Sequence, residues 1–334
     1  MLRSLQFGGG AREPWSVNYT DIALDVTEAR IAYLTGLVRD WSAFWVRNYR
    51  DEQTAVRRIY GVPALMVRVD YTEDGVYEID DRPCGVAIMA EICGLDTRNW
   101  LRTVASNGPK FSAVVSSSRR GGDDHLWVPG GEITLTQALA DKDSLILPRC
   151  EPGERMFESL ERQAVAPLSL EGSKAYGVPL GLWKKVLKIE DLPETPFAIK
   201  PHQGSKGKGV YIYAPDMRRQ SSHSGTVTRT MIQREAGLAI ATHGSVYVQK
   251  FHEPLKVTAE EKDWSAIQRL FFIYRPADHH WVPLGGAWVG RPYPCARIHG
   301  ASDSLTGPLK LPQSVFAQWK RIAPEGHAPT SGIK

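Results

Sequence analysis

The chain has 334 residues, 42% of them apolar, with a formal net charge of +4, which is material for a sizeable core in two or three lobes and excludes a disordered polymer. The charge is modest for this length and its basic pairs, Arg119-Arg120, Lys184-Lys185 and Arg218-Arg219, are isolated, which argues against a nucleic-acid partner. The four cysteines, Cys84, Cys93, Cys150 and Cys295, lack the paired spacing of a zinc site or a disulfide framework and are expected as reduced thiols.

The opening residues contain a glycine triplet but no apolar run of the signal-peptide kind, and no stretch has the length of a membrane span, so a cytoplasmic protein is expected. Residues 1–16 read as an irregular lead. Asp25 and Glu28 have the spacing of a capping box, after which Ile31, Leu34, Val38, Trp41 and Trp45 recur at helical intervals. Ala64 to Tyr71 reads as a strand, Glu73-Asp74-Gly75 as its turn and Val76 to Asp80 as the returning strand, a hairpin with more charge than a core requires. The stretch to about residue 95 reads as helical. Phe111 to Ser116 and Ser144 to Leu147 read as buried strands separated by a helix around residues 133–140, which together make a small α/β unit. From about residue 170 the expected order is helix, strand, Gly-rich loop, strand, helix and strand, and residues 324–334, rich in Pro, Gly and Ser, are expected as a flexible tail.

The segment with the most chemistry runs from Pro196 to Tyr213. Two short apolar strands flank a polar loop with Gly204, Gly207 and Gly209, where backbone can approach an anion closely and turn its N–H groups toward it. Lys200 closes the first strand with a fixed positive charge, and Ser205, Lys206 and Lys208 add donors suited to a polyphosphate. A Walker A loop would place its GK[ST] directly before a helix, which this segment does not do. An exposed, lysine-rich hairpin is the plain structural alternative. Downstream, Ser245 to Phe251 reads as a strand running into a turn, and Gln268 to Tyr274 as another strand with Arg269 near its start, either facing a phosphate or standing as a surface cation.

The order of Lys200, the GSKGKG loop, the Gln249-Lys250-Phe251 hinge and the Arg269 strand resembles the ATP-grasp superfamily over residues 170–300. The resemblance implies an α+β fold with ATP between two lobes. Lys200 and an earlier lysine would contact the phosphates, the loop Gly204, Ser205, Lys206, Gly207, Lys208 and Gly209 would fold over them, and Gln249, Lys250 and Phe251 would contact adenine. Lys174 is the first choice for the earlier lysine, with Lys184, Lys185 and Lys188 as competitors.

That family usually carries acidic metal ligands after the arginine strand, where this chain has only Asp278 and Asp303. The upstream hairpin offers Arg68 and Asp70, then Glu78 and Asp80, each pair projecting to one face because a strand repeats every two residues. Carboxylates held together raise one another's proton affinity unless a cation intervenes, and magnesium is a hard cation that takes such oxygens together with phosphates. The hairpin, with Pro83 and Gly85 after it, resembles the circularly permuted, glutathionylspermidine synthase-like amide ligases, with Asp80 where that group has Asn. The resemblance implies Asp70, Glu78 and Asp80 as magnesium ligands.

It also implies a division into residues 1–60 on the substrate side, 61–95 with the metal hairpin, an inserted unit at 96–168 and nucleotide-binding lobes at 169–323. Arg68, Lys200, Arg269 and Arg297 would act in catalysis, with Arg291 the alternative to Arg297 and His299 a candidate base. The expected reaction is ATP-dependent ligation of a small-molecule or peptide carboxylate to an amine through an acyl phosphate, with no nucleic acid or membrane partner and with a homodimer compatible. A small-molecule kinase and a non-catalytic nucleotide-binding protein are the alternatives.

Overall fold

A computed structural model of the chain describes residues 3–7, 15–48, 61–62, 66–80, 89, 92–93, 114–115, 125–128, 131–134, 145–146, 183–200, 210–215, 217, 227–275, 278–298 and 303–315. They make a mixed α/β fold of open sheets with a few helices. The strands are β1 (Arg3–Phe7), β2 (Trp15–Tyr19), β3 (Leu24–Asp25), β4 (Met66–Thr72), β5 (Gly75–Asp80), β6 (Val114–Val115), β7 (His125–Val128), β8 (Gly131–Thr134), β9 (Leu145–Ile146), β10 (Trp183–Val186), β11 (Phe197–Lys200), β12 (Tyr211–Tyr213), β13 (Val246–Lys250), β14 (Leu255–Ala259), β15 (Lys262–Arg275), β16 (His280–Pro292) and β17 (Leu305–Lys310). Two longer helices are α1 (Glu28–Asn48) and α2 (Arg229–His243).

The larger sheet has nine strands in the order β1-β2-β17-β16-β15-β4-β5, with β14 also on β15 and β3 also on β17. Its centre is the β15–β16 hairpin, whose aromatic and branched residues, including Leu270, Phe271, Phe272, Ile273, Trp281, Val282 and Leu284, are buried. Helix α1 lies against β16 and presents Ile31, Leu34, Leu37, Val38, Trp41 and Phe44, a buried stripe at intervals of three and four residues. Leu34 and Leu37 are 0% exposed, so truncating either to Ala is expected to cost about 2–5 kcal/mol.

The helix is capped by Thr27 rather than by the expected Asp25. The Thr27 hydroxyl accepts from the Arg30 N–H at 3.1 Å and its carbonyl from Ile31 at 3.0 Å. Asp25 is committed to β3, beside Lys310 of β17.

The smaller sheet has four antiparallel strands in the order β10-β13-β11-β12. Strand alternation sorts its side chains. Phe197, Ile199, Val246 and Val248 face α2 and pack on Ile232 and Ala236, while Ala198, Lys200, Tyr247 and Gln249 take the other face. Helix α2 starts at Thr228, whose hydroxyl accepts from the Met231 N–H at 3.2 Å, and ends at Gly244, whose φ of 73° gives the left-handed turn that glycine accommodates.

The face away from α2 meets the nine-stranded sheet. Ala198 and Ile212 pack against Ala296, the Gln249 amide donates to the Tyr77 carbonyl at 3.0 Å, and the Tyr77 hydroxyl donates to the His252 carbonyl at 2.7 Å.

The charged hairpin is where the sequence placed it, as β4 and β5, and the expected strands at Val114–Val115 and Leu145–Ile146 are present as β6 and β9, paired in parallel. Met89 and Ile92 are helical, as expected of the stretch before residue 95. Four expectations are corrected. Residues 3–7 and 15–19 are not an irregular lead but the antiparallel pair β1–β2. Of the helix expected around residues 133–140, residues 133–134 lie instead in β8, which pairs with β7, and residues 135–140 lie outside the described residues. The order expected from about residue 170 lacks a strand that the structure has, β10, which carries Lys184 and Lys185. The strand of Arg269 begins at Lys262, so that arginine is mid-strand.

Among the described residues Cys93 and Cys295 are free thiols, and no helix is long and apolar enough to cross a membrane. Residues 324–334 lie outside the described residues.

Candidate functional site

The site begins with register. Arg68 on β4 stands opposite Asp80 on β5, and Asp70 stands opposite Glu78 on one side and Arg269 of β15 on the other. Glu78, Asp70 and Arg269 therefore form one row across three strands, with Arg68 and Asp80 in the adjacent row on the same face.

Arg68 is the centre of this group. Its Nε donates to Asp70 Oδ1 at 2.6 Å, and its Nη2 lies 3.3 Å from Asp70 Oδ2, 3.2 Å from Asp80 Oδ2 and 3.9 Å from Glu78 Oε2. Arg269 Nε lies 3.3 Å from Asp70 Oδ2, an ion pair not oriented as a hydrogen bond. The Arg68 and Asp70 side chains are 5% exposed, Asp80 19% and Glu78 30%, so a buried pair supports two carboxylates that retain open surface. A buried pair of this kind is costly to break from one side, by about 3–5 kcal/mol, which makes Arg68 a positioning residue for all three carboxylates.

Lys200 arrives from the other sheet. Burial pushes its ammonium below the usual lysine range, against the opposing pull of Glu78 and Asp70. Burial likewise pushes the Glu78 carboxyl up, and Asp80 and Asp70 push it further, against Arg68 and Lys200. Three cations, Arg68, Arg269 and Lys200, thus meet three carboxylates, Asp70, Glu78 and Asp80, on facing surfaces of two sheets.

Strand β10 places two of the competing lysines, Lys184 and Lys185, both exposed. Lys185 pairs with Tyr247, which pairs with Lys200, so the two lysines flank one tyrosine in a single row, and Lys185 Nζ lies 6.0 Å from the Tyr247 ring centre. Lys184 points to the other side, where it donates to the Asp191 carbonyl at 3.1 Å, and Lys188 is exposed. Lys174 lies outside the described residues, as do Pro83, Gly85, His299 and the whole loop of Gly204, Ser205, Lys206, Gly207, Lys208 and Gly209. Sequence reading put Lys174 first and left Lys184, Lys185 and Lys188 as competitors. The strand β10 puts Lys185 in phase with Lys200.

The hinge residues divide their work. Gln249 is 2% exposed and its amide is spent on the Tyr77 and Val76 carbonyls, so its side chain couples the sheets. Lys250 is exposed, and Phe251 packs beside Ala198, Ile212 and Ala296 while its N–H donates to the Pro196 carbonyl at 3.1 Å.

A second basic group lies along the same face of the large sheet. Arg291 of β16 stands opposite Ser265, whose hydroxyl accepts the Cys295 N–H at 2.8 Å, which draws the following turn over the face. Arg297 on that turn is half-buried between Arg291 and Tyr211 of β12. Burial lowers its pKa and the Arg291 charge lowers it further. Arg291 Nη2 donates to Asp303 Oδ2 at 2.5 Å. Asp278 pairs with Arg275 at the far turn of β15–β16, so each downstream aspartate has an arginine partner, while both side chains remain exposed.

Among the described residues no group of three or more His, Cys, Asp or Glu is disposed as a metal cage. Magnesium needs less than a cage, since one or two carboxylates suffice when nucleotide phosphates supply further oxygens. Glu78 and Asp80, partly exposed and repelling one another, have the chemistry for that smaller role. Compared with family models, with curated proteins and with solved structures, the chain matches none.

Proposed function

We propose that this protein is an ATP- and magnesium-dependent carboxylate-amine ligase, an ATP-grasp fold in circularly permuted order with a small inserted α/β unit. The observation that carries the reading is that the face of the four-stranded sheet bearing Lys200 is tied to the hairpin of Asp70 and Glu78 by the Gln249–Tyr77 hydrogen bond, close enough for the charges of Lys200, Glu78 and Asp70 to act on one another. A half-buried lysine facing a carboxylate group across two sheets suits a polyphosphate whose charge is shared between lysines on one side and a cation on the other.

In this reading Lys185 and Lys200 hold nucleotide phosphates on the inner face of the small sheet, with the loop 204–209 over them. Glu78 and Asp80, with support from Asp70, would hold magnesium, which would supply charge neutralisation at the phosphates. Arg68 fixes those carboxylates, and Arg269 stands beside Asp70 to meet charge that develops on the transferred group. The acid's carboxylate oxygen attacks the γ-phosphorus and ADP leaves. The amine nitrogen then attacks the acyl carbon, phosphate leaves and the nitrogen gives up its proton. Enclosure between the sheets keeps water from the acyl phosphate.

The test is phosphate release from ATP across a matrix of acids and amines. Release that requires both an acid and an amine, with a stoichiometric amide product, is expected. Label from γ-labelled ATP retained on a stable product identifies a kinase instead, and a protein that binds no ATP analogue with magnesium overturns the reading.

A further inference from the structure

His252 follows β13 of the four-stranded sheet and packs on β5 of the nine-stranded one, where it is 3% exposed. Its carbonyl accepts the Tyr77 hydroxyl, and its ring stands edge-on to the Tyr77 ring at 5.8 Å between centres. Gly75 comes so near that a β-carbon there would lie 2.9 Å from Nε2. One imidazole thus fills the joint between the hairpin of Glu78 and Asp80 and the strand of Gln249.

His252 Nε2 is buried and has no hydrogen-bond partner. A neutral imidazole tolerates such a seat, whereas an imidazolium brings a charge and a second N–H into the same dry space. The surrounding groups do little to offset that charge. Lys250, at the end of β13, opposes it, and Asp74, which favours it, stands on the exposed turn of the hairpin. Tyr77 on β5 is a phenol that burial keeps protonated, and the exposed Glu253 acts on that phenol. Burial outweighs these charges and holds the imidazole below the ordinary histidine range.

We propose that His252 is a proton-operated catch between the two sheets, holding the hairpin of Glu78 and Asp80 against the face of Lys200 while the ring is neutral and releasing it when the ring is charged. The joint is then closed at neutral pH and parted by mild acid. What parting does to nucleotide binding rests on the ligase reading. The catch itself rests on the packing of His252.

The direction follows from linkage. In the parted state the ring is in water and takes a proton near the ordinary value of about 6.5, whereas in the joined state it resists until lower pH. The contribution of His252 to the joint is therefore fully present above that ordinary value and is lost as pH falls below it, down to the depressed value of the joined state. From about pH 7.5 to about pH 5.5 the ratio of parted to joined molecules should grow by up to about tenfold.

The experiment is amide hydrogen exchange of the full chain, read by mass spectrometry at about pH 7.5 and about pH 5.5 and corrected for the intrinsic pH dependence of exchange. Peptides spanning residues 75–80 and 246–253 report the joint, and the β15–β16 hairpin is the internal reference. Corrected exchange up to about tenfold faster in acid is expected in the joint and not in the reference. His252→Gln should remove the difference whatever its absolute exchange rate, because no proton can be taken up there. Lys250→Gln, at an exposed position, removes a charge that opposes the imidazolium in the joined state and should shrink the difference. Asp70, Glu78 and Asp80 are intact in both variants, so a response owed to those carboxylates survives both.

An absent acid response in the unmodified protein overturns the proposal. So does a response unchanged in His252→Gln or, where that variant does not fold, in Lys250→Gln. Binding of an ATP analogue with magnesium, measured at the same two pH values, separates the catch from the ligase reading. Analogue binding with a joint that acid does not open defeats the catch and leaves the ligase reading standing, whereas an acid-opened joint in a protein that binds no analogue does the reverse.

Discussion

The Gln249 side-chain amide lies 3.0 Å from the Tyr77 carbonyl oxygen, a hydrogen bond that reaches from β13 of one sheet to the backbone of β5 in the other. Tyr77 answers with its hydroxyl on the His252 carbonyl, and Gly75 sits so close to the His252 ring that a β-carbon there would lie 2.7 Å from Cε1. The charged hairpin and the lysine strand are therefore tied together by contacts that are not themselves part of the proposed chemistry. Replacing Gln249 with Leu leaves two strand carbonyls without their donor and should cost about 1–3 kcal/mol. Urea denaturation checks the loss. The same variant should weaken binding of an ATP analogue, since the two faces no longer meet at a fixed spacing.

Lys200→Ala is expected to leave the fold intact and to lower turnover at saturating ATP by roughly 10²–10³-fold, the scale of losing one preorganised charge in a dry site. Lys200 is also one of the two cations that hold the Glu78 carboxyl down against burial. Its removal should therefore drive Glu78 further up, visible as a shift in the pH dependence of magnesium binding. Wild-type turnover in a folded variant removes Lys200 from the mechanism.

The charged hairpin was legible because strand period and turn chemistry are local: Glu73-Asp74-Gly75 marks the turn, and alternation puts Glu78 and Asp80 on one face. The α1 stripe was legible for the same reason. What local pattern cannot carry is pairing between distant segments, so the row Glu78, Asp70, Arg269 and the row Lys185, Tyr247, Lys200 emerge only when strands are laid side by side. Lys185 stayed one competitor among several because a run of four residues, Trp183–Val186, gives no periodic signal that separates strand from helix. The cap moves from the expected Asp25 to Thr27 because pairing of β3 with β17, which the local pattern does not carry, commits Asp25 to a strand.

Glu78→Gln tests stability against function. Because the folded Glu78 carboxyl is raised, folding favours its protonated form. The resulting cost is absent below the ordinary carboxyl pKa of about 4.3, grows as pH rises through the raised folded value and stays present above it. The variant should thus gain stability over wild type as pH climbs from acid toward neutral, while losing magnesium-dependent turnover. Thermal melts of both proteins across that range read the first, and a magnesium titration of ATP consumption reads the second. A constant stability gap across the whole range refutes the assignment of a raised carboxyl.

Gly286→Ala provides a structural control beside the same row. A β-carbon at Gly286 would lie 2.6 Å from the Arg269 carbonyl oxygen and 2.6 Å from Leu309 Cδ1, and the backbone contact has little freedom to yield. The substitution should cost roughly 1–3 kcal/mol, measured by chemical denaturation. At temperatures where the variant remains folded, its magnesium dependence should match wild type, which separates damage to the sheet from damage to the carboxylates.

Asp80 is the most discriminating position, because three readings of it make different predictions. It stands opposite Arg68, with Oδ2 3.2 Å from Nη2, and its side chain keeps 19% of its surface. If Asp80 only balances Arg68, then Asp80→Asn and Asp80→Ala both remove the charge, and both should lower stability with little effect on magnesium dependence. If it binds magnesium by charge, both should raise the magnesium requirement together. If it binds through an oxygen in the manner of the permuted ligases, Asn keeps that oxygen while relieving the repulsion that helps raise Glu78, so Asp80→Asn should retain turnover close to wild type. Asp80→Ala, with no oxygen, should require about tenfold or more magnesium for half-maximal ATP consumption, a loss of roughly 1.4 kcal/mol or more in binding. Paired magnesium titrations on both variants, with circular dichroism to confirm their folds, distinguish the three. The third outcome is expected, because Arg68 remains paired with the more deeply buried Asp70 whichever residue stands at position 80.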